Sequence, residues 1–209
     1  MTKEEILEKI ESAVESCRKC RLYKTATHGV PGEGNPQAKI VFVGEAPGFN
    51  EDREGRPFVG QAGRLLDELL KDIGLKRRDV WIGNVIKHRP PENRDPMIDE
   101  LRACRPYLLD QIKIIKPKLL VTLGRFAMAE YLPNAKISEV HGQAFRVNEY
   151  VVMPLYHPAA ALRSGNVARE LKQDFRKIVQ VFKTPPEKIP FYGEKKVGGA
   201  EVQMMLFSL

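Results

Sequence analysis

The sequence predicts an α/β fold, a three-layer α/β/α sandwich around a central, mostly parallel four-stranded sheet. Three observations carry that prediction. The runs KIVFVGEAPG (39–48), DVWIGNVIK (79–87) and PKLLVTLG (117–124) are built on short, largely apolar stretches, as expected of strands covered on both faces. Segments of helical periodicity lie between them, and strands alternating with helices default to parallel pairing. The length of 209 residues, with 43% hydrophobic and 29% charged residues, suits one domain whose core holds without disulfides.

The elements follow in order. Thr2 and Glu5 form a capping-box pattern, and Ile6, Ile10, Ala13 and Val14 mark one face of a first helix running into Cys17. THGVPGEGNPQA (27–38) is a Gly/Pro loop before the first strand, which ends in the tight turn GEAPG. QAGRLLDELLKDIG (61–74) has a helical period and a glycine stop. DPMIDELRACRPYLLDQIKIIK (95–116) is helical but contains Pro106, which predicts a kink or a split there. RFAMAEYL (125–132) is a short helix, AFRVNEYVVMPLYHP (144–158) a hairpin ending in His-Pro, and NVARELKQDFRKIVQVF (166–182) the last helix of the domain. The domain is therefore expected to span residues 1–182. From Lys183 the composition turns to Pro, Gly and charge, which reads as a flexible tail over 183–209.

Composition narrows the function classes. Thirty-four Lys+Arg against 27 Asp+Glu give a net charge of +7, compatible with a polyanionic partner without requiring one. No run approaches the ~20 apolar residues of a bilayer-spanning helix, and MTKEEILEKIESAVES does not resemble a secretory signal. The expectation is an intracellular, cytoplasmic protein. Thiols stay reduced there, so three cysteines, two of them spaced as CRKC (17–20), point to metal ligation.

The chemical motifs fall at strand ends, where ligands bind in open α/β sheets. GEAPGFNEDREGRPFVGQAG (44–63) follows the first strand, GNVIKHRPPENR (83–94) the second, and YHPAAALRSG (156–165) the last. Together with CRKC, in this order and spacing over residues 15–180, they resemble the family-four uracil-DNA glycosylases of thermophiles. The resemblance implies a uracil-DNA glycosylase fold and a monofunctional enzyme of base excision repair. Such an enzyme flips uracil out of DNA and hydrolyses its N-glycosidic bond. Phe58 then stacks on the base. Asn84 reads the O4 and N3–H edge, because an amide both donates and accepts. His157 donates to O2 as charge develops there, and a His before Pro is held extended. Glu45 orients water or faces the sugar cation, Glu51 is a pocket carboxylate, and Asn93 contacts the pocket or phosphate. Leu162 wedges into the vacated stack while Arg163 meets phosphate. From the residues alone, Glu45 bonding its own turn and Asn84 satisfying strand-end amides remain open.

The same resemblance completes the cysteine pair. The family holds a [4Fe-4S] cluster with two further cysteines sixteen residues apart; this sequence has His88 and Cys104 at that spacing. Cys17, Cys20, His88 and Cys104 are thus the implied ligands, with histidine replacing a cysteine; a cluster on the three cysteines with His88 merely nearby, and zinc in a Cys₃His set, stay open beside it. The substitution also admits kinship with relatives that bind or trap uracil-DNA with little turnover, although their Arg/His-rich insertion is absent from HRPPENRDP. Finally, QMMLFSL (203–209) resembles the sliding-clamp-binding motif of archaeal repair proteins, with Gln203, Leu206 and Phe207 as its anchors. The expected partners are uracil-containing DNA and a sliding clamp, and the expected state is a monomer.

Overall fold

The structure, a computed structural model, describes residues 1–193. Its six strands are β1 (Glu33–Gly34), β2 (Ile40–Gly44), β3 (Trp81–Asn84), β4 (Leu119–Leu123), β5 (Phe145–Val147) and β6 (Tyr150–Leu155). Its helices are α1 (Lys3–Glu15), α2 (Phe49–Glu54), α3 (Gln61–Asp72), α4 (Ile98–Ile115), α5 (Arg125–Ala129), α6 (Ile137–Val140), α7 (Pro158–Ala161) and α8 (Gly165–Lys183). They form one sheet of order β1-β3-β2-β4-β6-β5. The four inner strands are mutually parallel, and the antiparallel edges β1 and β5 raise the expected four strands to six. The two-residue β1 sits in a Gly/Pro loop with no strand-like pattern, so composition hid it.

Alternation along the inner strands builds the two cores. Ile40 and Phe42 of β2 face a cluster with Leu66, Leu69 and Leu70 of α3 and Leu171, Phe175 and Ile178 of α8. Val41 and Val43 face the opposite cluster, with Leu7 of α1, Leu108, Ile112 and Ile115 of α4, and Ala127 and Met128 of α5. This is the three-layer arrangement. Phe42 and Phe175 stack at 5.7 Å across the first core, so truncating Phe175 to Ala costs about 3–5 kcal/mol.

Local signals hold where the backbone obeys them. Thr2 accepts from the Glu5 amide, and Glu5 Oε2 accepts from the Thr2 amide at 2.9 Å, completing the capping box. Of the kink or split expected at Pro106, the split does not occur, since α4 runs through it as one helix. Arg102 and Pro106 both lie on the exposed side of the helix, where water can take the carbonyl that loses its partner.

The packed region also extends past the boundary expected at residue 182. Ile189 is buried in the first core, the Arg146 amide donates to Pro190 O at 2.8 Å, and the Arg146 guanidinium lies 3.7 Å from the Phe191 ring centroid. Residues 189–192 thus lie along the β5 edge. Gln203, Leu206 and Phe207 are outside the described residues. Among the described residues, no helix is long and apolar enough to cross a membrane.

Candidate active site

β2 lies between β3 and β4, so the chain reverses its direction of crossing there and leaves a crevice at the carboxyl ends of the strands. The crevice is a cleft of about 630 Å³. Of the expected residues, Glu45, Glu51, Phe58, Asn84, Asn93, His157 and Arg163 line it. Leu162 closes α7 beside Arg163 and stands half exposed.

Asn84 forms the floor. It ends β3, is 2% exposed, and its Oδ1 has no hydrogen-bond partner among the described residues. An orphaned buried amide oxygen carries a full desolvation cost unless something arrives to bond it. Its backbone is fixed from below by the fully buried Lys87, whose Nζ donates to Asn84 O at 2.9 Å, to Pro31 O at 3.1 Å and to Gln111 Oε1 at 2.8 Å. The strand-end alternative for the Asn84 side chain therefore fails for its oxygen.

Phe58 is buried at the wall with φ of 53°. Left-handed backbone is uncommon outside glycine, and more so for a bulky ring. Its ring centroid lies 5.7 Å from that of His157, with the planes 27° apart.

His157 follows β6 with extended backbone (φ −70°, ψ 136°), as its place before proline requires, and caps α7. Nδ1 accepts from the Ala159 amide at 3.1 Å. That bond assigns the proton to Nε2 and leaves a neutral donor. Burial lowers the imidazole to about 4, against the opposing charge of Glu51. The segment PAAA after His157 is a helical turn, in which His157 supplies the cap and Pro158 the first position.

The carboxylates divide the work. Glu45 is partly buried, and its carboxylate makes no hydrogen bond among the described residues. Burial raises its pKa, Asp95 pushes the same way and Arg125 opposes. Glu51 lines the cleft, but its Oε1 accepts from the amides of Val59 at 2.9 Å and Gly60 at 2.8 Å, so it also braces the loop that carries Phe58. Asn93 has φ of 55°, and its Oδ1 accepts from Arg89 Nε at 2.7 Å. Asp95 and Arg125, ion-paired at the cleft, were not singled out from sequence. Charged loop residues carry no periodic signal, and only the fold brings these two together.

The implied metal ligands gather as two pairs. Cys20 packs against the buried cluster of Leu22, Ile86 and Cys104, and the Lys87 amide donates to Cys104 Sγ at 3.4 Å. Cys17 and His88 line one hollow near the end of α1. Burial holds His88 below its ordinary pKa, which keeps a nitrogen lone pair free. Three thiols and a neutral imidazole suit a cluster or zinc, although no three such side chains converge on one point among the described residues.

A buried amide open on its oxygen, an aromatic wall and a neutral N–H donor suit a flat heterocycle with a mixed donor–acceptor edge. The comparisons agree with that chemistry. A family model for the uracil DNA glycosylase superfamily matches residues 31–183. The type-4 uracil-DNA glycosylase of Sulfurisphaera tokodaii is 51% identical over 189 residues, covering 86% of each chain. Those of Saccharolobus solfataricus and Archaeoglobus fulgidus are 47% and 48% identical, covering 86% and 83% of this chain and 88% and 92% of their own. The chain belongs to the type-4 uracil-DNA glycosylases of the uracil-DNA glycosylase superfamily.

Proposed function

We propose that the protein excises uracil from DNA as a monofunctional glycosylase and so starts base excision repair. The observation that carries this reading is the Asn84 amide, buried at the floor of the cleft with its oxygen unpartnered, beside Phe58 and His157. A base inside a duplex cannot be reached, so uracil leaves the stack and enters the cleft. Leu162 fills the vacated stack and Arg163 meets a phosphate. Asn84 donates to O4 and accepts from N3–H, a pattern that cytosine reverses, while Phe58 covers the face of the base.

As the bond between C1′ and N1 breaks, its electron pair moves into the uracil ring. His157 Nε2–H donates to O2, where the negative charge collects. The Glu45 carboxylate faces the sugar cation and orients the water that adds to C1′. Uracil leaves and an abasic sugar remains. Among the described residues no lysine lines the cleft, so the reading contains no Schiff-base step.

Cys17, Cys20, His88 and Cys104 would hold a [4Fe-4S] cluster that ties the start of the chain and α4 to the segment after β3. Hydrolysis moves no electrons, so the cluster's contribution is structural, and zinc in the same donor set is the alternative. The tail motif at Gln203, Leu206 and Phe207 recruits the enzyme to a sliding clamp, and the enzyme acts as a monomer inside the cell, where its substrate lies. The test is an oligonucleotide with one uracil, treated with alkali after incubation. Cleavage at that position alone supports the reading. A uracil-dependent complex that survives denaturation, without cleavage, would instead identify a trapping protein.

A further inference from the structure

Phe58 occupies a backbone conformation that a phenylalanine does not hold unaided, and its surroundings show what holds it. Arg77, in the short turn before β3, uses all five of its N–H groups. Nη2 donates to Pro57 O at 2.6 Å and to Glu33 Oε1 at 2.6 Å. Nη1 donates to Phe58 O at 3.1 Å and to Asp67 Oδ1 at 3.0 Å, and Nε donates to Glu33 Oε1 at 3.1 Å. Glu33 belongs to β1, the edge strand paired with β3, and Arg56 also bonds it at 2.8 Å. Burial alone would raise the Glu33 carboxyl, but Arg56 and Arg77 outweigh it and hold it below its ordinary value. The guanidinium is therefore anchored on carboxylates of β1 and α3 and grips the two carbonyls flanking the strained residue.

The other side of the loop is gripped by the opposite charge, because Glu51 accepts from the amides of Val59 and Gly60. Space is equally restricted. A Cβ on Gly63 would lie 1.7 Å from Phe58 O, and a Cβ on Gly44 would lie 2.5 Å from Phe58 Cζ. We propose that Arg77 is a positioning residue for base excision, holding Phe58 in its left-handed conformation so that the ring is set against Asn84 and His157 before the base arrives. The assignment rests on the uracil-excision reading of the cleft. It also gives β1 a purpose, since its Glu33 orients the guanidinium. Lysine cannot replace arginine here, because one ammonium cannot span two carbonyls and two carboxylates.

The experiment is single-turnover excision from a uracil-containing single strand by wild type, Arg77→Lys, Arg77→Met, Phe58→Ala and the Phe58→Ala/Arg77→Met double variant. Binding to an oligonucleotide with an abasic site, which has no base to stack, is measured in parallel. Arg77→Lys and Arg77→Met should each lose about tenfold or more in rate, on the scale of a small misplacement in an active site. Abasic-site affinity should stay within about twofold of wild type. The double variant should be no slower than Phe58→Ala, because residues acting through one another are not additive. A slow Phe58→Ala beside an Arg77→Lys of wild-type rate overturns the brace and leaves the cleft reading standing. Losses that multiply in the double variant also overturn the brace. A wild-type rate in Phe58→Ala overturns both. Arg77→Lys keeps the charge beside Glu33 and Asp67, so the comparison survives should Arg77→Met fold poorly.

Discussion

Gly44 and Asn84 are register partners at the carboxyl ends of β2 and β3, and a Cβ on Gly44 would sit 2.4 Å from Asn84 Oδ1. The same atom would lie 2.5 Å from Phe58 Cζ, so the missing side chain lets the amide and the aromatic wall converge. Gly44→Ala should therefore fold with a thermal midpoint within a few degrees of wild type and lose at least tenfold in single-turnover rate. Wild-type rate in that variant would show that the two side chains do not need this spacing.

Asn84→Ala and His157→Ala should each lower the single-turnover rate by about two orders of magnitude or more while leaving the fold intact, as the loss of one preorganised donor typically does. Circular dichroism and melting curves check the fold. If both variants excise at wild-type rates, the pocket assignment fails.

His157 also contributes to the pH dependence of stability. Because burial lowers it to about 4, the folded protein keeps this imidazole neutral where an ordinary histidine, at about 6.5, gains a proton. As pH falls from about 6.5 to 4, the unfolded chain takes up a proton that the folded protein refuses, so stability falls through that window. His157→Ala should lose less melting temperature than wild type between pH 7 and pH 5. Equal losses would mean that the histidine is not held neutral.

Glu45 is shifted the other way, its carboxyl raised chiefly by burial. If its ionised form serves the reaction, the rate should fall on acidification at a pH above the ordinary carboxylate value. That acidic limb should disappear in Glu45→Gln, which should be slower throughout. An unchanged limb in the variant would assign it to another group.

Much of this was legible in the sequence, for physical reasons. Strands buried on both faces are apolar throughout, which marked β2, β3 and β4, and turn chemistry at their ends placed Glu45, Asn84 and His157 in one crevice. The rest depends on contacts between distant residues. Arg77 and Glu33 are ordinary surface charges until β1 pairs with β3. Lys87 looks solvent-bound in NVIKH, yet it is fully buried because Pro31, Asn84 and Gln111 supply three oxygens. Pro106 breaks helices in general, but here it and Arg102, whose carbonyl loses its partner, lie on the exposed side of α4. Ile189 sits in a Pro-rich stretch that composition assigned to a tail, although it fills the first core.

The proposed metal site has a direct assay. Protein purified without oxygen should carry about four irons with matching sulfide, and His88→Cys should keep the cluster, since it restores the thiolate set. Stoichiometric zinc in colourless, fully active protein would replace the cluster in this account.

Deleting residues 203–209 should abolish clamp binding, measured by calorimetry with the terminal peptide and by co-elution of the full chain. Excision on a short oligonucleotide should barely change, because among the described residues the cleft lining ends at Val167. Unchanged clamp binding after deletion would remove the tail from the account.

The most direct measurement is chromatographic quantification of free uracil in a single turnover with excess enzyme. The account predicts one uracil released per uracil-containing strand, with a matching abasic site and a rate that collapses in Asn84→Ala. Tight binding of uracil-containing DNA without free uracil would contradict it.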